Sequence, residues 1–192
     1  MEAPLSFQNP DQNKSKEILF FDLETQHSFQ EVGGRDHLGK LLVSVAVTYS
    51  SLTEEFKSYT EPQVFQLIED LFQADTIVGF NLIQFDYRVL KPYTPKDFSQ
   101  LKTIDLLLHI KNKLGFRVSL DSLAQATLGT GKSADGLQAI RWYREGKTDE
   151  LIAYCKDDVE ITYKLYEYGK QNGFVYFKDR YSGKKKKILI DW

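Results

Sequence analysis

The chain has 192 residues, 42% of them hydrophobic and 27% charged, with a formal net charge of −2. These values exclude a disordered polyelectrolyte and describe one globular domain with a sizeable core. They also exclude a globally basic surface, so contact with any polyanion would depend on local patches. Cys155 is the only cysteine and rules out an internal disulfide. Together with the absence of an apolar signal core or a membrane-spanning run, it predicts a cytoplasmic protein.

The polar residues 1–16 read as a flexible tail, and 17–192 as a single domain. The apolar run 18–23 predicts a buried central strand. A β-branched second strand follows over 41–49 and a short third over 56–59, which suggests an antiparallel meander. Between the first two strands lies a long loop centred on Gly33 and Gly34. Thr60 and Gln63 form a capping-box pair, and Val64, Leu67, Ile68, Leu71 and Phe72 make a helical stripe. Residues 76–80 predict a strand, and a helix begins near Asn81 or Gln84 and stops near Pro92. Another strand over 102–106 leads into LLLHIKNKL. Ser119 caps a helix over SLDSLAQATL, and 135–144 predict another. The longest helix spans 148–168, with the stripe Leu151, Cys155, Val159, Thr162 and Leu165, and is ended by Gly169 and Gly173. The remainder predicts a hairpin within 174–192, with strands at 174–178 and 188–192 and a turn near Ser182 and Gly183. The whole is an α/β domain with a central mixed β-sheet flanked by helices.

Three distant segments carry acids. In ILFFDLET, Asp22 and Glu24 are two apart on a strand and share a face, opposite Phe21 and Leu23. They are either a costly buried pair that needs a cation or a strand end meeting solvent. Asp86 closes GFNLIQFD, where a strand gives way to a helix, a place where α/β folds build sites. Taken alone it reads more readily as a solvated helix face behind a capping Asn81. Tyr154 and Asp158 stand four apart on one helix face, and Asp157 is turned away. They are either a water-orienting pair or a core aromatic beside an exposed acid. Four carboxylates in one pocket repel each other unless cations neutralise them. Divalent ions so held are a phosphodiester-cleaving arrangement.

The combination FDLET, GFNLIQFD and YCKDD, in this order over roughly residues 17–170, resembles the 3′–5′ exonuclease domains of the DEDD superfamily in their tyrosine form. The wording, including GKSADGLQAIRWYREG, is similar to YprB-type exonuclease-like domains associated with helicases. The resemblance implies a ribonuclease H-like fold. It makes Asp22, Glu24, Asp86 and Asp158 ligands of two divalent ions, Mg²⁺ or Mn²⁺, and Tyr154 the residue that orients the attacking water. It also implies a single-stranded DNA or RNA 3′ end as substrate, nucleoside 5′-monophosphates as products, and a helicase or a repair and processing protein as partner. A non-catalytic binding or scaffold module and a two-metal endonuclease are the alternatives on the same fold.

Outside these motifs, His27, Arg35, His37 and Lys40 of the long loop are candidates for phosphate contact, and Asp105 for a helix cap or a support behind the ligands. Phe85, Tyr87 and Tyr143 are weak candidates for base stacking. The lysine run 184–187 reads either as a phosphate contact or as a solvated hairpin edge. Lys132, Arg141, Arg144 and Lys147 offer a second patch. The segment GTGKS at 129–133 has Ala126 where a nucleotide-binding loop needs its first glycine, which excludes ATP binding; its glycines read as a connector.

Overall fold

Strand β1 (Ile18–Thr25) is the middle of a five-stranded sheet. On one side it pairs antiparallel with β2 (Val43–Ser50), which pairs antiparallel with β3 (Phe56–Thr60). On the other it pairs parallel with β4 (Thr76–Gly79), which pairs parallel with β5 (Thr103–Asp105). The structure, a computed structural model, describes residues 16–131, 136–179 and 182–192. The predicted tail therefore lies, but for Lys16, outside the described residues. So do Lys132 and Ser133 of the connector at 129–133, of which Gly129 is the left-handed C-cap of a helix.

Helices cover both faces of the sheet, which is why β2 is buried along its whole length. On one face Leu19, Phe21 and Leu23 pack with Leu67, Ile68 and Leu71 of α1 (Val64–Gln73) and with Val89 and Leu90 of α2 (Asp86–Leu90). On the other, Phe20, Val45, Val47 and Tyr49 join Leu151, Cys155, Val159 and Leu165 of the long helix α6 (Thr148–Asn172). Helices α3 (Leu106–Leu114), α4 (Leu120–Leu128) and α5 (Gly136–Arg144) complete this layer. Phe20 is fully buried and meets Tyr163 and Tyr166 edge-on at 5.1 and 5.4 Å. Truncating such a residue to Ala costs about 3–5 kcal/mol.

Local signals explain most boundaries. The backbone N–H of Thr60 donates to Gln63 Oε1 at 3.0 Å before α1, and Ser119 Oγ accepts from Ser122 N at 3.1 Å before α4. Several boundaries differ from the sequence expectation: β2 starts at Val43 instead of 41, and the helix expected from Asn81 or Gln84 starts at Asp86, after a turn. Gly169 does not end α6, which runs on to Asn172 and stops at Gly173, φ 74°. A methyl group at Gly169 would collide with Ile190 and Trp192, so this glycine is a seat for the C-terminal segment. The Trp192 indole N–H donates to Tyr166 O at 3.1 Å in the same contact.

The hairpin also differs. It consists of β6 (Phe174–Lys178) and β7 (Lys185–Leu189), so the second strand starts three residues earlier than the apolar pattern suggested. Val175, Phe177 and Ile188 face inward. Lys185 and Lys187 lie over the rings of Tyr176 and Phe174 at 4.0 and 3.6 Å. Lys186 pairs with Asp179 at 2.5 Å. Much of the lysine run is thus engaged by its own hairpin. No helix among the described residues is long and apolar enough to cross a membrane.

Candidate active site

The even-numbered residues of β1 face α6, and the strand's core side chains give way after Phe20 to Asp22 and Glu24. The pairing of β1 with β2 shifts its register between Glu24 and Thr25, an irregularity immediately after the second acid. Across from them, α6 presents Tyr154 and Asp158, each 3% exposed, one turn apart. One carboxylate oxygen each from Asp22, Glu24 and Asp158 lie within 4.8 Å of one another. Asp157 is exposed.

Asp86 arrives from the opposite side of the sheet's end, as the first residue of α2. The crossover that brings it there turns at Asn81, whose φ of 76° is left-handed, a conformation that asparagine tolerates better than most residues. Asp105 fixes this crossover. Its Oδ1 accepts from Asn81 N at 2.9 Å and from Leu108 N at 3.1 Å, and its Oδ2 accepts from Ile83 N at 3.1 Å. Of the two readings of Asp105, helix cap or support behind the ligands, the bond from Leu108 N describes the cap, and the bonds from Asn81 N and Ile83 N tie it to the crossover.

The acids line one cavity of about 460 Å³ with Tyr154, His27, Phe29, Phe85, Leu137 and Ile140. Asp86 is 1% exposed, and its Oδ1 is buried with no hydrogen-bond partner. Burial pushes its carboxyl well above the usual range, and the charges of Asp22, Asp105 and Glu24 push it further in the same direction. The three converging carboxylate oxygens could hold a metal ion, and the bare Asp86 oxygen adds a further acceptor on the same cavity. Asp86 faces the same cavity but is not among the three oxygens that converge.

Cys155, which reads in the sequence as one more stripe residue, lies directly behind Asp22. Its Sγ is 3.4 Å from Asp22 O and 3.8 Å from Asp22 Oδ2. Burial raises its thiol pKa strongly, and the neighbouring acids, Asp22 first, raise it more. Its place between Tyr154 and Asp158 was the only signal of this contact.

The long loop forms a wall. Ser28 N donates to Glu31 Oε2 at 2.8 Å, and Arg144 of α5 pairs with Glu31 Oε1 at 2.5 Å. The Ser28 bonds, with help from Arg144, hold the Glu31 carboxyl down to about 2. Phe29 packs edge-on against Phe85 at 6.0 Å, and the Arg35 guanidinium lies 4.5 Å over Phe29. His27 reaches the acid cavity, whereas His37 and Lys40 do not line it. Of the stacking candidates, Phe85 lines the cavity. Tyr87 is core, its hydroxyl 2.8 Å from Thr103 Oγ1 and its ring stacked on Phe98 at 4.9 Å. Tyr143 is half-exposed and lies outside the cavity. In the second basic patch Arg141 bonds Gln138, Arg144 bonds Glu31 and Lys147 pairs with Glu145, while Lys132 lies outside the described residues.

A family model described as RNase H superfamily matches residues 19–169. The chain belongs to the RNase H superfamily. No curated protein matches it. Among solved structures it is similar to the family B DNA polymerase from the hyperthermophilic archaeon Pyrobaculum calidifontis, with a TM-score of 0.63 and 19% identity. The similarity covers 82% of this chain and 25% of the polymerase chain, so this domain spans about a quarter of that protein. The mixed sheet and the flanking helices are those of the RNase H-like fold, and the Asp22, Glu24 and Asp158 cluster could hold a metal ion.

Proposed function

We propose that this domain is a metal-dependent 3′–5′ exonuclease that removes nucleoside 5′-monophosphates from single-stranded ends. The observation that carries this reading is the convergence of Asp22, Glu24 and Asp158 oxygens within 4.8 Å, in a cavity that Asp86 and Tyr154 also line. These carboxylates would hold two divalent cations, with Asp86 completing the ligand set. When bound, such cations polarise a phosphodiester and lower the pKa of an attacking water. The Tyr154 hydroxyl, one helical turn from Asp158, holds and orients that water. Phe85, Leu137 and Ile140 give the terminal nucleoside apolar surface and exclude bulk water.

Exonucleolytic action is favoured over internal cleavage by the shape of the site. The loop through Phe29, tied to α5 by the Glu31–Arg144 pair, walls one side of the cavity. Its volume is in the range that holds a single small ligand. The test is product analysis on matched 5′-labelled and 3′-labelled single-stranded RNA and DNA with Mn²⁺, beside Asp22→Asn. A stepwise ladder from the 5′-labelled strand, absent in the variant, is the expected result. Internal fragments from a strand with a blocked 3′ end would favour the endonuclease. Binding without cleavage would favour the binding module.

A further inference from the structure

A second cavity, of about 330 Å³, adjoins the acidic one and has the opposite charge. Phe85 lines both. Arg35, Arg88, Lys111 and Arg117 surround the second cavity, and Asp105 is its only carboxylate among the described lining residues. Both oxygens of that carboxylate are occupied by the backbone N–H groups of Asn81, Ile83 and Leu108. Arg117 Nη2 donates to Asn81 Oδ1 at 3.0 Å. Among the described residues, no carboxylate forms an ion pair with Arg35, Arg88 or Lys111. Four cations and one carboxylate leave a local charge of +3, in a chain whose formal net charge is −2.

These cations come from four separate segments: the 3-10 turn Arg35–Lys40, α2, α3 and the loop after α3. No sequence run announces the patch, and none of the four is needed to neutralise a neighbour. Three are guanidinium groups, whose forked donors match the oxygens of a phosphate. A strand that enters an acidic site must hold its next phosphates close to those acids, at a separation where salt screens little. A basic cavity behind Phe85 reverses the sign of the field at that point.

We infer that this cavity binds backbone phosphates of the single strand next to the terminal nucleotide, and that it sets the grip of the enzyme on its substrate. The inference rests on the acid cavity being the site of cleavage, and the test separates the two. Fluorescent single-stranded 12-mers of RNA and DNA are titrated without metal, in chelator, across a salt series. The proteins are wild type, Arg88→Gln/Lys111→Gln, Arg35→Gln, and a control with the same charge loss elsewhere, Lys102→Gln/Lys170→Gln. Because the side chains exchanged at the cavity are exposed, the variants should melt with the wild type.

For the double variant, affinity should fall about 10-fold at low salt, and the slope of log affinity against log salt should fall by about 1.4, the value for two phosphate contacts to single strands. Arg35→Gln should lose about half that slope, and the control should change less than twofold. With Mn²⁺, KM should rise by a similar factor with kcat unchanged, and a dinucleotide should be affected much less than the 12-mer. Unchanged affinity and slope in the double variant, or an equal loss in the control, would overturn the inference. Loss of binding in a protein that never cleaves would support the basic cavity and sink the exonuclease. Normal cleavage with normal KM in the double variant would do the reverse.

Discussion

The two cavities on either side of Phe85 invite comparison. In the acidic one, Asp86 and Asp158 are almost completely buried, and the fold itself holds like charges together. In the basic one, the cationic side chains are exposed to solvent and cost the fold little. Repulsion in the first is stored during folding and is relieved by a bound cation or by a proton. Attraction in the second acts only when a polyanion arrives, and salt weakens it. One cavity should therefore respond to metal and to carboxylate substitution, and the other to ionic strength.

The largest expected effect separates chemistry from folding. Asp22→Asn or Asp158→Asn should lower turnover by about 10³-fold or more, while circular dichroism and oligonucleotide binding remain those of the wild type. Wild-type turnover in either variant would end the comparison by removing the acidic cavity from catalysis. Next in size, Tyr154→Phe should lower kcat by about 10- to 100-fold with little change in KM, because the ring stays packed against Trp142 at 6.0 Å and only the hydroxyl is lost. A change confined to KM would make Tyr154 a binding residue instead.

A smaller effect concerns stability. The folded protein holds the Asp86 proton more tightly than the unfolded chain does, since its pKa is raised by burial and by Asp22, Asp105 and Glu24. The ionised carboxylate therefore opposes folding above its folded pKa, and this opposition fades as pH falls toward the unfolded value. Without metal, Asp86→Asn should raise Tm near neutral pH by a few degrees, about 1 kcal/mol. The advantage should shrink on acidification, and Mg²⁺ should stabilise the wild type more than the variant. A destabilised Asn variant at neutral pH would mean that Asp86 is held by favourable contacts instead. Smallest is Lys185→Gln, whose ammonium is already placed over Tyr176. It should change oligonucleotide affinity less than twofold, in contrast with the cations of the basic cavity.

Most of this arrangement was legible because the acids interrupt strong patterns. Asp22 and Glu24 break an apolar strand with period two, and Tyr154 and Asp158 sit beside a helical stripe with period 3.6. Other features had no periodic signature. The basic cavity is assembled from residues 35, 88, 111 and 117, which only the crossover at Asn81 and the turn after α3 bring together. The start of β7 was hidden because its first three residues are lysines, which carry no apolar alternation. Gly169 looked like a helix stop because its purpose, room for Ile190 and Trp192, depends on a segment some twenty residues away. Tyr87 looked like a stacking platform because proximity to a motif says nothing about which way a ring points. The wall formed by Phe29, Glu31 and Arg144 joins residues more than a hundred positions apart.

Cys155 gives the molecule an internal clock. It is the chain's only thiol and is completely buried against Asp22. A thiol reagent can reach it only when α6 and β1 part, so its labelling rate reads the frequency of that local opening. A cation held by Asp22 and Asp158 would tie the same two elements together, and its occupancy would register as a slower reaction at Cys155.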